Sequence, residues 1–324
     1  MVTSRISPLV IGVDLGATKT AAALVDEQAN ILNLKRRSTP TESPKILVRN
    51  TIELIEEIFD VSKACMENIL GIGLGVAGLM DFQRGVVIFS PNLPLRNLPL
   101  REIVHDHFNL PTFLDNDANV AAMGEKFFGA GRGVSNLVCL TIGTGIGGGI
   151  IIDDRIYRGA GGSAAEIGHM VIDPKGPPCG CGNRGCLEAF ASGTAIARRA
   201  REAVDEESMI FKLIRGKIDD ISAEIVARAA MRGDPLAKGI LRDAGEALGV
   251  GLSNVINIFN PEMIIIGGGM AEIENLLTTA RAEISRRALA PNLKTVKIVG
   301  AKLGTNAGVL GAAALVLYEL GKLT

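Results

Sequence analysis

Four metal-binding side chains gather near the middle of the chain. Three of its five cysteines, Cys179, Cys181 and Cys186, fall within eight residues, and His169 lies ten positions before the first of them. Three thiolates and one imidazole form a ligand set of tetrahedral Zn²⁺, and a protein that fills all four positions holds the metal for a structural purpose. Glycines between the cysteines let the backbone turn tightly enough to aim three sulfurs at one point. The spacing therefore predicts a structural zinc site.

The alternative explanation for these cysteines is burial in an apolar core. The proline pair at 177–178 and the Gly/Asn/Arg-rich residues after it are typical of a loop, which disfavours that explanation. Two glutamates, Glu166 and Glu188, flank the cluster and are not needed as ligands. We therefore expect the zinc loop to hold two carboxylates for another purpose.

A second polar group lies between a short apolar strand and a segment with a helical pattern. Asp115, Asp117 and Asn119 alternate along this group. Aspartate and asparagine at such a position cap the N-terminus of a helix. A cap and a functional carboxylate are compatible, so the group is a candidate for both roles.

Two glycine-rich turns, about 130 residues apart, repeat the same plan of strand, turn and strand. This short repeat suggests two related halves. Backbone N–H groups and threonine hydroxyls in such turns can hold phosphate. The predicted strands and turns are 9–14, 15–19 and 20–25 in the first hairpin, and 136–142, 143–148 and 149–153 in the second.

Two segments, 143–148 and 73–78, match GxGxxG but lack the context of a dinucleotide-binding fingerprint. Such a fingerprint follows a strand and opens a helix, whereas a predicted strand follows Gly148 and a predicted turn follows Gly78. The chain contains no GxxxxGK[ST] sequence. Phosphate is therefore expected on paired glycine hairpins rather than at a Rossmann or Walker loop.

The first turn carries further groups that suit a nucleotide. Asp14 can reach Mg²⁺ directly or through water, Thr18 offers a hydroxyl, and Lys19 offers a positive charge. A third glycine run, at 267–269, ends an apolar strand. A plain β-turn is the alternative for either hairpin alone, but the three glycine segments together favour phosphate binding.

The composition is that of a globular protein long enough for two domains. Of 324 residues, 47% are hydrophobic, and 34 Lys+Arg against 35 Asp+Glu give a net charge of −1. No Lys/Arg run indicates a nucleic-acid partner, and the longest apolar stretch, 307–317, is too short to span a bilayer. No apolar segment of signal-peptide length precedes the first strand. Zinc ligands need reduced thiols, and the other two cysteines, Cys65 and Cys139, sit in apolar contexts. We therefore expect a cytoplasmic protein.

Strands alternate with helical patterns along the rest of the chain. Apolar residues at helical spacing predict helices at 45–59, over most of 193–257 and at 307–320. Apolar runs predict strands at 68–76 and 262–266. This alternation indicates an α/β fold, and the hairpins make its sheets mixed rather than purely parallel.

Together these motifs resemble the ROK family of sugar kinases, and among them the bacterial glucokinases. Asp14–Lys19 resembles the family's first phosphate loop, with Ala17 in place of its second glycine, which is tolerable if that position needs no positive φ. The second glycine loop at 143–149, the pair Asn116–Asp117 and the zinc segment at 166–188 resemble family motifs as well. The resemblance keeps the family's order from residue 10 to about 315.

The resemblance implies an actin-like/hexokinase (ribonuclease H-like) fold, with two α/β domains of mixed sheets that flank a cleft. It implies a small domain of residues 1–117 plus 305–324 and a large domain of residues 118–304 that carries the zinc loop. It also implies ATP, Mg²⁺ and structural Zn²⁺ as cofactors, a hexose as substrate, and a homodimer or homotetramer. Neither nucleic acid nor a membrane is expected as a partner.

The resemblance also implies roles for single residues. Asp117 would be the general base that accepts the proton of the sugar hydroxyl. With two ring nitrogens, His169 can ligate zinc and contact the sugar at once. The implied sugar-binding residues are Asn116, Asp117, Glu166, His169, Glu188, Gly78 and Asn92. The implied donor-binding residues are Asp14, Gly16, Ala17, Thr18, Lys19, Thr144, Gly145 and Gly268.

The implied reaction is ATP-dependent phosphorylation of the 6-hydroxyl of glucose. Kinases for mannose, fructose, N-acetylglucosamine or N-acetylmannosamine share the same hydroxyl-binding set and stay open, as does polyphosphate as donor. A non-catalytic sugar-sensing regulator would not need Asp117 or two phosphate loops. The family's transcriptional repressors carry an N-terminal helix-turn-helix domain, and only about eight residues precede the first strand here, so DNA binding is not expected.

Overall fold

The computed structural model describes residues 8–61 and 68–323, so Cys65 and residues 1–7 lie outside it. The described residues form thirteen strands and eleven α-helices. The strands are β1 (Leu9–Leu15), β2 (Lys19–Asp26), β3 (Ile31–Ser38), β4 (Ile69–Val76), β5 (Leu79–Asp81), β6 (Val86–Phe89), β7 (Arg96–Leu98), β8 (Thr112–Asn116), β9 (Leu137–Ile142), β10 (Ile146–Ile152), β11 (Arg155–Ile156), β12 (Met263–Gly267) and β13 (Lys297–Gly300). The helices are α1 (Pro44–Val61), α2 (Leu100–Phe108), α3 (Asp117–Phe128), α4 (Glu188–Ala191), α5 (Gly193–Ala203), α6 (Met209–Leu213), α7 (Ala223–Met231), α8 (Pro235–Phe259), α9 (Glu274–Arg287), α10 (Ala290–Thr295) and α11 (Ala307–Glu319).

Packing divides the chain into two compact units. The first unit consists of Met1–Cys139, Gly149–Ala165 and Ala301–Thr324, and the second consists of Leu140–Gly148 and Glu166–Gly300. The domain boundaries implied by the family resemblance, after residues 117 and 304, stay a prediction beside this division by packing.

A five-stranded sheet with the order β3-β2-β1-β4-β8 forms the centre of the first unit. β1 and β2 pair antiparallel, which confirms the first predicted hairpin. β1 pairs in parallel with β4, and β4 in parallel with β8, so the sheet is mixed, as predicted. In this register Asp14 lies opposite Gly75, and Gly75 lies opposite Asp115. The sheet thereby brings the ends of β1 and β8, with their aspartates, to one edge.

Helices cover both faces of this sheet. Successive side chains of a strand point to opposite faces. On β1, Ile11 and Val13 join a core that includes Leu54 and Ile58 of α1, while Val10 joins a second core with residues of α11. The first unit therefore has a layer of sheet between two helical layers.

The second five-stranded sheet has the order β11-β10-β9-β12-β13. β9 and β10 are hydrogen-bonded neighbours, which confirms the second predicted hairpin. The prediction that its turn runs to Gly148 was wrong, because β10 begins at Ile146. Gly149 lies inside the strand, where an added Cβ would come within 2.5 Å of the Ala122 Cβ on α3. Glycine here makes room for a helix rather than for a turn.

Three short strands, β5, β6 and β7, form a separate antiparallel sheet in the first unit. The helical stretch predicted from 193 onward is confirmed as α5 to α8. The Asp234 side chain accepts the N–H of Ala237 and caps α8, which ends at Asn260 in the left-handed conformation with φ 43°. Among the described residues, no helix is both long and apolar enough to cross a membrane.

Candidate active site and zinc site

The four predicted zinc ligands come together in the second unit. The candidate ligand atoms of His169, Cys179, Cys181 and Cys186 all lie within 4.8 Å of one another. The Cys181 and Cys186 sulfurs are 3.7 Å apart, and the Cys179 sulfur lies 3.7 Å from Nδ1 of His169. Tetrahedral zinc, with bonds of roughly 2.0–2.3 Å, places neighbouring ligand atoms about 3.6–3.8 Å apart. The cluster therefore fits zinc in both chemistry and spacing.

The cysteines are not paired in a disulfide, whose sulfurs would be about 2.05 Å apart. Burial, together with the neighbouring Cys181 and Cys179 thiols, raises the pKa of the Cys186 thiol to about 12. A bound cation would reverse this shift, because a coordinating thiol is deprotonated outright. With Nδ1 of His169 on the sulfur side, Nε2 is the nitrogen that suits the predicted sugar contact.

A short loop brings the sulfurs together. The Cys179 N–H donates to the carbonyl of Asn183, and the Gly182 N–H donates to the carbonyl of Cys179. Gly185 has φ 71°, and a Cβ there would lie 1.6 Å from the carbonyl oxygen of Asp173. Only glycine therefore fits this position, just before the third cysteine.

Glu188 connects the zinc cluster to the second glycine loop. Its Oε2 accepts the N–H of Ile146 over 2.8 Å, and its Oε1 lies 4.0 Å from the Cys179 sulfur. A Cβ on Gly145 would come within 2.4 Å of Oε2. Gly145, which was predicted to bind the donor, thus also makes room for the Glu188 carboxylate.

Glu166 precedes a 3-10 turn, Ile167–His169, that ends at His169 in the same unit. The His169 N–H donates to the carbonyl of Glu166 over 3.0 Å. A Cβ on Gly168 would lie 2.1 Å from the carbonyl oxygen of Ile146. The N–H of Ile146 serves Glu188 and its carbonyl packs on this turn, so one residue positions both predicted sugar-binding segments of the second unit.

Two hydrogen bonds from the start of α5 hold the second phosphate-loop candidate. The Gly193 N–H donates to the Gly143 carbonyl, and the Thr194 hydroxyl donates to the Thr144 carbonyl, each over 2.8 Å. A carbonyl and the N–H that follows it point to opposite sides of a trans peptide. The N–H groups of Thr144 and Gly145 are therefore directed away from α5, as an anion site requires.

Gly268 lies at the base of this loop. Its φ is 85°, and an added Cβ would lie 2.3 Å from the carbonyl oxygen of Ile142, the last residue of β9. The structure thus places Gly268 against the strand that leads into Thr144. Both features require glycine at this position, and its place in the donor site stays a prediction.

The first phosphate-loop candidate, in the first unit, has the same design. The Thr39 hydroxyl donates to the Gly16 carbonyl over 2.7 Å, and the Thr39 N–H donates to the Thr18 carbonyl over 3.0 Å. By the same peptide geometry, the N–H groups of Ala17 and Lys19 are directed away from Thr39. The sequence analysis did not identify Thr39 or its counterpart at the second loop, because neither belongs to a glycine motif.

Ala17 has no positive φ, so alanine replaces the family's usual glycine there without backbone strain. The adjacent Asp14 carboxylate packs against the start of α11, where a Cβ on Gly308 would lie 2.3 Å from Asp14 Oδ2. The side chains of Thr18 and Lys19 are exposed. The loop therefore offers solvent-facing donors beside a partly buried carboxylate.

Asn116 and Asp117 lie at the start of α3. The Asn116 side chain caps the helix by accepting the N–H groups of Ala118 and Asn119, and its Nδ2 donates to the Gly78 carbonyl over 3.0 Å. Gly78 has φ 133° and could not carry a Cβ, which would lie 2.4 Å from a backbone oxygen. The structure therefore brings two of the predicted sugar-binding residues, Gly78 and Asn116, into direct contact.

Asp14 and Asp117 have raised pKa values. Burial is the largest of the causes that together raise the pKa of Asp14 to about 6; the negative charge of Asp117 also raises it, and Arg36 lowers it. Burial also raises the pKa of Asp117, against hydrogen bonds from backbone groups and Asn116 that lower it. One Asp117 oxygen, Oδ1, accepts the Ala118 N–H over 2.9 Å. Asp117 thus has raised proton affinity and a second oxygen, Oδ2, for a substrate proton.

Asn92 is less closely tied to this group. It is exposed in the turn after β6, which is closed by a bond from the Ser90 N–H to the Leu95 carbonyl. The turn begins next to Gly78, because a Cβ on that glycine would lie 2.9 Å from the Cα of Ser90. Its sugar-binding role stays a prediction.

Known proteins resemble this chain over nearly its whole length. The model of the ROK family matches residues 10–319. A glucokinase of Streptomyces coelicolor is 39% identical over 313 residues, which cover 95% of this chain and 97% of that protein. A xylose repressor of Caldicellulosiruptor bescii is 36% identical over 317 residues, which cover 96% of this chain and 78% of that protein.

A solved structure agrees with these sequence matches. The crystal structure of a ROK family glucokinase from Streptomyces griseus, in complex with glucose and AMPPNP, superposes with a TM-score of 0.82. The two chains are 37% identical, and the match covers 95% of this chain and 98% of that chain. The similarity thus includes both glycine loops, the start of α3 and the zinc segment.

Proposed function

Because this chain belongs to the ROK family, we propose that it is a hexose kinase that transfers the terminal phosphoryl group of ATP to the 6-hydroxyl of glucose. The fold is the mixed α/β, actin-like/hexokinase fold that the sequence predicted. The matches to the glucokinase relatives cover nearly all of this chain and nearly all of theirs, so this chain is long enough for the same activity.

The observation that carries the proposal is the state of Asp117. Phosphoryl transfer needs a group that accepts the proton of the attacking hydroxyl. Asp117 is the first residue of a helix that its neighbour Asn116 caps, and its pKa is raised by burial. A carboxylate with raised proton affinity is a better base than an exposed one at neutral pH. We assign it the role of general base toward the sugar hydroxyl.

The remaining roles follow the chemistry of each segment. In the proposal, Asn116, Glu166, His169 and Glu188 accept or donate hydrogen bonds to sugar hydroxyls, with Gly78 and Asn92 near them. The N–H groups at Ala17, Lys19, Thr144 and Gly145 bind donor phosphates, and Gly268 lies beside the nucleotide. Asp14 would hold Mg²⁺, directly or through water, and the ion would neutralise charge on the transferred phosphoryl group.

Zinc has a structural role in this proposal. His169, Cys179, Cys181 and Cys186 would fill all four positions of the ion, so none is left for a reacting water. The ion would fix the loop that carries Glu188 and orient His169 through Nδ1. The thiolate ligands suit a reducing compartment such as the cytoplasm, and a homodimer or homotetramer belongs to the proposal on the family resemblance.

Replacement of Asp117 tests the proposed base. We expect Asp117→Asn to fold and to bind glucose, and to lose about 10²-fold to 10⁴-fold in kcat, because the amide cannot accept the proton. Steady-state phosphorylation with ATP, together with calorimetric glucose binding, measures both properties. Asp106→Asn, which changes an exposed carboxylate on α2, is the matched control. Wild-type turnover in Asp117→Asn would remove the assignment.

A hexose panel tests the substrate. With ATP as donor, kcat/KM is expected to be highest for glucose among glucose, mannose, fructose, N-acetylglucosamine and N-acetylmannosamine. A preference for an N-acetylated sugar would contradict the glucose assignment while leaving the kinase assignment in place. The same assay with polyphosphate in place of ATP determines the donor.

The xylose repressor relative supports a second candidate function, a sugar-sensing regulator without catalysis. The two functions differ in turnover. A regulator would bind a sugar without releasing ADP, whereas the proposed kinase forms ADP and hexose phosphate in equal amounts. Sugar binding without phosphorylation of any hexose would favour the regulator.

A further inference from the structure

Asp115, one residue before the proposed sugar-binding pair, is a buried carboxylate with three donors. It is 1% exposed. Its Oδ1 accepts the Asn116 N–H over 2.7 Å and the Asn119 amide over 2.9 Å. Its Oδ2 accepts Nε of Arg158 over 2.7 Å. The first bond holds the backbone N–H just before Asp117, and the second holds the Asn119 side chain in the first turn of α3.

Arg158 is the cation that makes this burial possible. A buried carboxylate without a paired charge is strongly unfavourable, and Arg158 is the arginine that pairs with Asp115. Its Nη2 donates to Glu319 at the end of α11 over 2.8 Å, and its guanidinium lies 3.6 Å from the ring centre of Phe82. With two carboxylates and an aromatic face around it, the guanidinium is held in one orientation.

We propose that Arg158 is a positioning residue for phosphoryl transfer: by holding the Asp115 carboxylate, it fixes the first turn of α3 and hence the orientation of Asp117. The connection runs through hydrogen bonds, from Arg158 to Asp115 and from Asp115 to the Asn116 N–H and the Asn119 side chain. This inference rests on the proposed role of Asp117. Arg158 itself acts only through Asp115.

The first test separates kcat from KM. A carboxylate misplaced by about 1 Å can cost about a hundredfold in rate, so Arg158→Gln should lower kcat tenfold to a hundredfold with little change in KM for glucose or ATP. Arg158→Lys keeps the charge but not the planar fork and should recover part of the loss. Arg155→Gln, the same change at an exposed arginine three residues upstream, is the matched control. Rates are divided by the concentration of glucose-binding sites from calorimetry, so that misfolded protein does not count.

The second test combines Arg158→Gln with Asp117→Asn. If Arg158 acts through Asp117, the double variant should turn over as slowly as Asp117→Asn alone, because effects on one catalytic unit do not add. If Arg158→Gln lowers kcat by the same factor in the wild type and in Asp117→Asn, the inference is overturned. Wild-type kcat in Arg158→Gln alone would overturn it as well. If Arg158→Gln does not fold, Arg158→Lys is carried through the same cycle.

The outcomes also separate this inference from the proposed function. Turnover retained in Asp117→Asn alone would remove the proposed base, and with it the group that Arg158 positions. Turnover lost in Asp117→Asn but unchanged in Arg158→Gln would overturn the positioning role alone.

Discussion

Three aspartates in the first unit illustrate how surroundings set the role of a side chain. Asp115 is surrounded by donors and paired with Arg158, so its charge is fully used inside the fold. Asp117 is also at the end of β8 and start of α3 but has raised proton affinity. Asp14, at the same sheet edge, has a pKa raised to about 6. The two carboxylates whose charges neighbouring groups compensate least, Asp117 and Asp14, are those proposed as general base and as Mg²⁺ ligand.

Asp14→Asn is expected to stabilise the protein near pH 7.5 while lowering kcat. The pKa of Asp14 rises from 3.8 to about 6 on folding, so its favourable contribution is complete below pH 3.8 and is lost as the pH rises through about 6. Above that range the ionised group opposes folding by on the order of 3 kcal/mol. Thermal unfolding is measured in magnesium-free buffer between pH 4 and 8. The Tm of Asp14→Asn should rise above that of the wild type only as the pH rises.

The control for this prediction is Asp106→Asn, whose carboxylate is exposed and whose Tm should follow that of the wild type. Magnesium with nucleotide should raise the Tm of the wild type more than that of Asp14→Asn, because a cation favours the ionised carboxylate. A Tm gain of equal size at pH 4 and pH 8 would contradict the assigned pKa shift.

Among the elements, α11 is packed against its neighbours at backbone distance. A Cβ on Gly12 of β1 would lie 2.0 Å from the carbonyl oxygen of Val309, and a Cβ on Gly73 of β4 would lie 1.9 Å from that of Ala312. On the helix itself, a Cβ on Gly311 would lie 1.8 Å from the carbonyl oxygen of Val120 on α3. Glycines therefore set the distance between α11 and the elements that carry Asp14 and Asp117.

Gly311→Ala is expected to destabilise the protein by about 3 kcal/mol, because the added methyl group must push α11 away from α3. Chemical denaturation, read as the free energy of unfolding, measures the loss. Gly239→Ala on α8 is the matched control: it adds the same atom in open space and should gain up to about 1 kcal/mol from helix propensity. Equal effects of the two substitutions would contradict close packing at Gly311.

The sequence predicted the elements that have a local pattern. Both hairpins and the helices after residue 193 could be predicted, because apolar runs and glycines are adjacent in the chain. A helix cap was predicted from Asp115, Asp117 and Asn119, whereas the residue that caps α3 is Asn116. The three-stranded sheet of β5, β6 and β7 was not predicted, since strands of three or four residues carry too little periodicity. Residues 146–148 were assigned to a turn because their glycines suggested one, whereas β10 already begins at Ile146.

The candidate site, like the fold, could be predicted only where its residues form a local pattern. Its motif residues could be found because the zinc cluster and glycine loops are compact in sequence. The groups that hold them were not found: Thr39, Thr194 and Arg158 act across 23 to 50 residues through single bonds and show no spacing of their own. A contact between one side chain and a residue far away in the chain produces no periodic pattern in a single sequence.

For the whole molecule, the compact units carry different parts of the proposed chemistry. The first unit holds Asp14, Asp117 and the first phosphate loop, and the second holds the zinc ligands, Glu188 and the second phosphate loop. In the second unit Glu188 links the zinc cluster to the N–H of Ile146 next to that loop. Metal binding should therefore affect stability and sugar affinity together.

We expect purified protein to contain about one zinc per chain, and chelation to lower Tm and raise KM for glucose, because metal bound only by the folded state stabilises it. Cys181→Ser, which removes an exposed ligand, should reduce zinc content and reproduce both effects. Cys139→Ala, which changes a buried cysteine outside the cluster, should keep full zinc content. Elemental analysis, thermal unfolding and steady-state kinetics supply the three measurements, with zinc added back after chelation to test reversal. Full activity and unchanged Tm in zinc-free wild-type protein would show that the four ligands have another purpose.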